Sequence, residues 1–387
     1  MSFMYIQVEL ELSRKCQLEC LHCFSESGPG KEGGVSPEEA DMLVMRLKEV
    51  FGKVGDLYSI PSSGVVYDFI ISGGEPSLLG ASTVLRLAES LKKAFGEGSR
   101  VSMNTNLMNF SALKEIIDEE TVSVAVSFDP VIRGWGFPAF ERRWLENFAR
   151  LDISGRGIPV ELTITRYLME FPLKEFVSAL QVKELGLSPI LPMGRAKRYF
   201  DTIGVTPREA SDCVINAFEE LPGDVSITPY GGLREVERVR RVHNVPYRVE
   251  CWGDCWNRFI VRRDGSVEVG DRCFPDSFCG NVYTDDAYRI FNSPARMKFM
   301  SFQLEKSSTA CMLCPYNHFC MGGCTLWYFW KDGLCLKGEC PGYRRVLDYV
   351  IQGKKPETER CFYPKSDFMK RYAEGFFDLV RRILGEC

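Results

Sequence analysis

Cys16-Gln-Leu-Glu-Cys20-Leu-His-Cys23 is the stretch on which the interpretation of the whole chain depends. It places three cysteines within eight residues, with three and then two residues between them. Thiolates are the usual protein ligands of iron–sulfur clusters. Three of them on one loop can hold three irons of a [4Fe–4S] cube and leave the fourth iron open for chemistry. Zinc is the alternative metal, and His22 is the only local candidate for its fourth ligand.

Strands and helices alternate regularly over the first 200 residues. The hydrophobic runs predict strands at Tyr5–Leu12, Val65–Ile71, Val101–Asn104, Thr121–Ser127, Val160–Thr165 and Leu187–Leu191. The intervening patterns predict helices at 36–54, Ala81–Phe95, Ser111–Asp118, Ala139–Leu151 and Leu173–Leu185. About six strand–helix repeats favour a parallel sheet with right-handed crossovers. We therefore expect an α/β fold, a partial (β/α)6 TIM-like barrel followed by a cysteine-rich module.

Polar and glycine-rich loops follow these strands at their carboxyl ends. They are the cysteine loop, Gly73-Gly74-Glu75-Pro76, Asn104-Thr-Asn106, Ser127-Phe-Asp129 and Gly194-Arg195. Ligands of parallel sheets bind at this edge, so we expect the loops to surround one site.

The cysteine loop, followed by the aromatic Phe24, resembles the CxxxCxxC loop of the radical S-adenosylmethionine (SAM) superfamily. The turn Gly73-Gly74-Glu75-Pro76, one βα unit later, resembles the GGEP motif of that family. In the family the open iron chelates SAM, and one electron from the cluster cleaves SAM to a 5′-deoxyadenosyl radical. The resemblance implies that Cys16, Cys20 and Cys23 hold the cluster. It implies cofactor-binding roles for Phe24, Gly73, Gly74, Glu75, Pro76, Asn104, Asn106, Ser127 and Arg195; Arg195 pairs with a carboxylate of cofactor or substrate.

A second group of cysteines lies near the C-terminus. Cys251, Cys255, Cys273 and Cys279 bracket a predicted hairpin at Phe259–Val269, and Cys311-x2-Cys314-x5-Cys320-x3-Cys324 precedes Cys335 and Cys340. This spacing resembles the SPASM module, which carries two auxiliary [4Fe–4S] clusters. The resemblance implies one cluster on Cys311, Cys314, Cys320 and Cys340, and another on Cys324, Cys255, Cys273 and Cys251. Cys279 competes with Cys273 and Cys335 with Cys340, and a pair of zinc sites is the alternative. Cys213, Cys361 and Cys387 receive no role, and buried free thiols are expected.

The bulk composition indicates a globular protein of several domains. The chain has 387 residues, 16 cysteines and a net charge of −4. We expect a radical SAM core at 1–200, a helical bridge at 201–250, a SPASM module at 251–340 and a helical tail at 341–387, with an amphipathic helix at Lys365–Leu384. The charge argues against nucleic-acid partners, and no apolar run suits a membrane span. Without a signal peptide, and with many cysteines in a long chain, a cytoplasmic metalloprotein is expected.

The resemblance implies an enzyme with three [4Fe–4S] clusters that cleaves SAM and oxidises or crosslinks a peptide or protein side chain. Its electrons would come from a donor such as ferredoxin or flavodoxin. Because the cysteine loop begins after only fifteen residues, we expect no leader-binding domain ahead of it in this chain, which weakens the peptide hypothesis. The alternative is radical oxidation or epimerisation of a small molecule such as a sugar, an aminocyclitol or a tetrapyrrole. A non-catalytic electron carrier is the third candidate, and the Gly73–Pro76 turn argues against it.

Overall fold

One continuous β-sheet forms the centre of the part of the chain that the structure, a computed structural model, describes. The described residues are 4–233, 255–270, 276–309, 311–320, 340 and 343–385. The strands are β1 (Met4–Ser13), β2 (Val65–Gly73), β3 (Arg100–Thr105), β4 (Ser123–Ser127), β5 (Val160–Ile164), β6 (Glu184–Pro189), β7 (Ser226–Thr228), β8 (Arg258–Arg262), β9 (Ser266–Val269) and β10 (Phe278–Asn281). Within these ranges their order across the sheet is β10-β9-β8-β1-β2-β3-β4-β5-β6-β7.

Strands β1 to β7 pair in parallel with their neighbours in chain order, which confirms the predicted α/β class and parallel sheet. The sheet is open, because β7 lies at one edge and β10 at the other among the described strands. The six predicted strands all exist. The seventh, β7, was not predicted, because three residues are too few to show an alternating pattern.

Helices connect the strands. Their bounds are α1 (Pro37–Val50), α2 (Val54–Tyr58), α3 (Ala81–Phe95), α4 (Phe110–Asp118), α5 (Phe140–Arg150), α6 (Arg166–Met169), α7 (Leu173–Leu180), α8 (Ala196–Ile203), α9 (Pro207–Glu220), α10 (Ala287–Phe291), α11 (Pro294–Thr309), α12 (Asn317–Cys320), α13 (Tyr343–Gln352) and α14 (Asp367–Leu384). None of the helices in the described ranges combines the length and the apolar character needed to cross a bilayer.

Local signals fix several helix ends. The predicted capping box of α1 is present: Ser36 accepts from the Glu39 backbone N–H, and Glu39 accepts from the Ser36 backbone N–H. The prediction for α7 was too long, because the helix ends at Leu180 rather than at Leu185. Gln181 adopts the left-handed conformation (φ 52°) that terminates helices, and the chain then enters β6.

The predicted C-terminal hairpin is confirmed as β8 and β9, with Asp264-Gly265 in the turn and Gly265 at φ +80°. Strand β8 also pairs in parallel with β1, so that Phe259 lies opposite Val8. The hairpin thus extends the sheet of the N-terminal strands. The division into four domains stays a proposal, and its boundary between barrel and cysteine-rich module would cross this shared sheet.

The tail predicted as an amphipathic helix is α14, and it packs on the barrel through aromatic rings. Phe376 of α14 lies 5.3 Å, centroid to centroid, from the fully buried Phe128 at the end of β4. Phe128 also contacts Trp144 at 4.8 Å and Phe176 at 5.1 Å. Phe128 therefore joins the sheet, two barrel helices and the tail in one cluster.

Two buried cysteines without a predicted role contact each other. The sulfur atoms of Cys213, on α9, and Cys361, just ahead of α14, lie 3.2 Å apart. The expectation of buried free thiols is confirmed for both.

Replacing Phe128 should show how much this cluster contributes to stability. We expect Phe128→Ala to lower the free energy of unfolding by about 3–5 kcal/mol, because a large buried ring leaves a cavity that its neighbours cannot fill. Urea denaturation followed by circular dichroism measures the change. Tyr288→Ala, which removes an exposed ring, is the control and should stay within about 0.5 kcal/mol of the parent. Equal stability of the two variants would contradict the assignment.

Candidate active site at the carboxyl ends of the strands

A cavity of about 450 Å³ lies at the carboxyl ends of the parallel strands. Eleven of the residues predicted to bind cluster or cofactor line it: Cys16, Cys20, Cys23, Phe24, Gly73, Gly74, Glu75, Pro76, Asn104, Asn106 and Ser127. Residues from four of the five predicted loops therefore meet at one place, as the strand order requires.

The three cysteines of the loop at residues 16–23 face this cavity in different degrees of burial. Cys16 and Cys20 are buried, and Cys23 is half-buried. Burial raises the pKa of the Cys16 thiol to about 11, against the opposing effect of the Leu18 backbone N–H. Burial raises the pKa of Cys20 to about 12, and the Arg133 guanidinium opposes it. Without a metal, both groups are therefore neutral thiols at neutral pH.

The turn at residues 73–76 lies against the backbone that leads into the cysteine loop. The Gly74 N–H donates to Ser13 O at 2.7 Å, and the Glu75 N–H donates to Lys15 O at 2.9 Å. A Cβ atom at Gly73 would overlap Ser13 O, and one at Gly74 would overlap Lys15 O. Gly73 also has φ +116°, which glycine adopts readily. Both glycines are therefore required for the contact between the two loops.

Arg195 holds the other side of the cysteine loop. Its guanidinium donates to Cys20 O at 2.8 Å and to Ser27 O at 2.7 Å, and its backbone N–H donates to Cys23 O at 2.9 Å. Arg195 is not among the residues that line the cavity. Its predicted pairing with a carboxylate of cofactor or substrate stays a prediction, whereas the present contacts fix the shape of the loop.

Glu75 connects the turn at residues 73–76 to the loop after β3. One carboxylate oxygen accepts from the Ser77 hydroxyl at 2.6 Å and the Thr105 hydroxyl at 2.7 Å, and the other accepts from the Asn106 N–H at 2.7 Å. Burial raises the pKa of Glu75 above its usual value, and these donors oppose the shift. Both oxygens of the Glu75 carboxylate thus accept hydrogen bonds from neighbouring residues of the chain.

Asn104, Asn106 and Ser127 differ in their access to the cavity. Asn104 is exposed to it, whereas Asn106 and Ser127 are buried. The Asn106 side-chain N–H₂ donates toward Cys16 Sγ at 3.5 Å and to Gln17 Oε1 at 3.2 Å. The assignment of these three residues to SAM stays a prediction.

Sequence reasoning missed an ionic cluster behind the cysteine loop. The fully buried Asp129 accepts from Arg133 Nε at 2.8 Å and from the Thr163 N–H at 2.5 Å, and it lies 3.2 Å from His22 Nε2. Burial alone would raise the pKa of Asp129, but Arg133 and His22 hold it well below its usual range. The only signal in the sequence was a polar residue after a strand. The local zinc candidate, His22, therefore faces this ion pair.

Glu161 is a second cavity residue that sequence reasoning missed. It lies on β5 between Ser127 of β4 and Gly186 of β6. A Cβ atom at Gly186 would overlap its carboxylate, so glycine there makes room for it. Burial and the negative charges of Glu184 and Asp129 raise the pKa of Glu161 to about 7. A single carboxylate within an apolar strand was the available signal.

The donor set of the cysteine loop fits an iron–sulfur cluster. A [4Fe–4S] cube is held by cysteine thiolates, each on a different iron. Cys16, Cys20 and Cys23 offer three thiols that line one cavity. The zinc alternative would need His22, whose Nε2 lies 3.2 Å from Asp129.

The C-terminal cysteines are described only in part. Cys311 and Cys320 are buried, Cys314 is half-buried, Cys340 is exposed, and Cys255 begins a short 3₁₀ turn. The competing Cys279 is buried on β10. Cys251, Cys273, Cys324 and Cys335 lie outside the described residues. The two auxiliary ligand sets therefore stay predictions.

Replacing Asp129 should test the ionic cluster. We expect Asp129→Asn to lower the free energy of unfolding by about 3–5 kcal/mol near neutral pH, because it leaves the buried Arg133 without its counter-charge. The depressed pKa stabilises the fold above the unfolded value of about 4, and this stabilisation is lost as the pH falls further. The loss of stability on acidification should therefore be smaller in the variant.

Urea denaturation of parent and variant between pH 3 and pH 7 measures both effects. Asp118→Asn, which removes an exposed partner of Lys114 and Arg156, is the control and should change little because solvent screens that pair. A parallel pH dependence in parent and Asp129→Asn would refute the assignment.

Known proteins resemble this chain in sequence and in fold. No protein-family model matches the chain. It is 23% identical over 364 residues to the antilisterial bacteriocin subtilosin biosynthesis protein AlbA of Bacillus subtilis, covering 84% of this chain and 68% of AlbA. It is 24% identical over 347 residues to the mycofactocin maturase MftC of Mycobacterium ulcerans, covering 86% of this chain and 85% of MftC.

Solved structures show the same fold. The structure of anSMEcpe with bound AdoMet superposes with a TM-score of 0.58 at 18% identity, covering 99% of this chain and 98% of the other. Streptococcus suis SuiB bound to S-adenosylmethionine gives a TM-score of 0.55 at 14% identity, covering 86% of this chain and 75% of SuiB. The loop of three cysteines opens on the cavity at the strand ends of this shared fold, and the sequence relatives cover most of the chain. The chain is therefore similar in sequence to AlbA and MftC over most of its length, and it shares its fold with anSMEcpe and SuiB.

Proposed function

We propose that this chain is a radical SAM enzyme of the SPASM subfamily. It would bind a [4Fe–4S] cluster and SAM in the 450 Å³ cavity and modify a side chain of a peptide or protein. The observation that supports the proposal most directly is the meeting of three thiols and the double-glycine turn on one cavity. Cys16, Cys20 and Cys23 would hold the cluster. Bound there, a cluster would supply the electron for cleavage of SAM to the 5′-deoxyadenosyl radical, whose chemistry is the abstraction of a hydrogen atom from the substrate.

Residues that line the cavity would position SAM relative to the substrate. The backbone of the turn at residues 73–76 would receive the SAM amino group. Asn104, exposed to the cavity, and Ser127 would contact the ribose and carboxylate, and Phe24 borders the same space. The apolar wall formed by Ile70, Ile260 and Leu162 limits water around the reacting atoms.

Glu161 supplies a proton acceptor within the same cavity. A carboxyl group whose pKa is raised to about 7 can take or release a proton near neutral pH. An oxidation that follows hydrogen-atom abstraction passes one electron from the substrate radical to an acceptor, a role for the auxiliary clusters proposed below, and releases a proton. Glu161, which lines the cavity, would receive that proton.

The relatives favour a peptide substrate. One is a bacteriocin biosynthesis protein, another is called a maturase, and anSMEcpe has also been solved with AdoMet and a Cp18Cys peptide. None of these three names refers to a sugar, an aminocyclitol or a tetrapyrrole. We therefore propose oxidative modification or crosslinking of a peptide side chain.

We further propose that the C-terminal cysteines hold two auxiliary [4Fe–4S] clusters, giving three in all. Cys311, Cys314, Cys320 and Cys340 would hold one of them. Cys324, Cys255, Cys273 and Cys251 would hold the other. A small donor such as ferredoxin or flavodoxin would provide the electron for SAM cleavage.

Removing any thiol of the cysteine loop should abolish SAM cleavage. We expect Cys16→Ala, Cys20→Ala and Cys23→Ala each to stop the formation of 5′-deoxyadenosine from SAM under a chemical reductant, because each removes one of the three thiolates that would hold the cluster. Chromatography of anaerobic reactions measures the product. Cys213→Ala, which alters a cysteine outside the cavity, should retain the parent activity. Undiminished product from any of the three loop variants would overturn the proposed ligand set.

Iron content should report the number of clusters. Anaerobically reconstituted protein should hold about twelve irons per chain, since three cubes contain four irons each. A Cys311→Ala/Cys314→Ala double variant should hold about eight, because only one auxiliary cluster loses its ligands. Colorimetric iron and sulfide assays measure both. A parent value of about four would show that the C-terminal module binds no iron–sulfur cluster.

A further inference from the structure

The three thiols of the cysteine loop have different hydrogen-bond surroundings. Cys16 Sγ faces two N–H donors, the Leu18 backbone at 3.4 Å and Asn106 Nδ2 at 3.5 Å. Cys23 Sγ accepts from the Ser27 backbone N–H at 3.4 Å. The Cys20 thiol instead donates to Arg133 O at 3.6 Å. Among the contacts shown for these thiols, Asn106 provides the only donor that belongs to a side-chain amide.

The orientation of the Asn106 amide is set by its other partners. Its Oδ1 accepts from the Met108 backbone N–H at 3.0 Å, so the Nδ2 group must point the opposite way, toward Cys16 and Gln17. Its own backbone N–H donates to Glu75 at 2.7 Å, and the residue is only 4% exposed. The side chain is therefore locked by the protein, and its N–H₂ group is committed before any cofactor binds.

This arrangement differs from the role that the sequence suggested. A residue that binds SAM should be accessible from the cavity, as the exposed Asn104 is. Asn106 instead presents a fixed N–H to the sulfur of a proposed cluster ligand. Hydrogen bonds to cluster sulfurs draw electron density from the thiolate and favour the more negative, reduced state of the cluster. Such outer-shell contacts also hold the ligand in position.

We propose that Asn106 is a positioning residue for the SAM-binding cluster. Its side-chain N–H raises the reduction potential of the cluster and holds Cys16 in place as a ligand. The proposal rests on the cluster assignment made under Proposed function. It assigns to Asn106 the link between Glu75, in the turn at residues 73–76, and the cysteine loop. A change at Asn106 should thus alter a property of the cluster itself.

Asn106→Asp separates this role from a general structural one. The replacement keeps an oxygen acceptor for the Met108 N–H, but it exchanges the N–H₂ donor for an oxygen facing Cys16. Asn109→Asp is the matched control. Asn109 lies on the same loop, and its amide donates to Ser77 O at 2.9 Å rather than to any thiol of the described residues. Both variants gain the same formal charge.

The experiment is a redox titration of reconstituted full-length protein, followed by electron paramagnetic resonance. The signal of the SAM-binding cluster is identified as the one absent from Cys20→Ala protein. We expect the midpoint potential in Asn106→Asp to be more negative than in the parent, and iron to be lost to a chelator about tenfold faster. The potential and the rate of iron loss in Asn109→Asp should match those of the parent.

A second variant covers a failure of Asn106→Asp to fold, which far-UV circular dichroism would reveal. Asn106→Ala removes the donor without adding charge, and it should move the potential in the same direction by a smaller amount. A parent-like potential and iron retention in a folded Asn106 variant would overturn the proposal. Failure of the parent itself to assemble the cluster would instead refute the function proposed above.

Discussion

The contact between two glycines and two backbone carbonyls is the constraint on which the site depends. Gly73 and Gly74 lie so close to Ser13 O and Lys15 O that no side chain fits between them. This contact begins where the parallel pairing of β1 and β2 ends. Because the sheet register fixes the end of each strand, the cysteine loop and the glycine turn leave the sheet side by side. The position of the thiols relative to the turn thus follows from strand pairing.

Buried carboxylates then tie the remaining loops to this pair. Glu75 binds the loop after β3, and Asp129 joins the loop after β4 to the cysteine loop and to β5. The two groups differ in their electrostatics. Asp129 has cationic partners that keep its pKa low, whereas Glu75 has neutral donors and a pKa raised by burial. Both carboxylates provide hydrogen-bond partners for polar groups of the loops. Burying those groups without partners would cost free energy.

Much of the fold could be predicted, because its signals are local. The alternation of strands and helices, the capping box at Ser36 and the Asp264-Gly265 hairpin all depend on neighbouring residues. The cysteine and glycine motifs were likewise visible as short patterns. The contacts of Arg195 with Cys20 and of Asp129 with His22 were not, because each joins loops more than a hundred residues apart. Such pairs depend on the order of the strands in the sheet. No local sequence pattern predicted the short β7 or the pairing of β8 with β1.

The parallel pairing of β1 with β8 has a consequence for how the chain is made. The side of β1 that faces away from β2 finds its partner only when Phe259 and its neighbours have been synthesised. During translation one edge of β1 therefore has unpaired backbone donors and acceptors. Such an edge can pair with a strand of another chain. Contacts of such long sequence separation also slow folding. Strand β1 is also apolar: Ile6, Val8 and Leu10 are fully buried in the folded molecule. Until β8 is synthesised, this apolar strand has one unpaired edge.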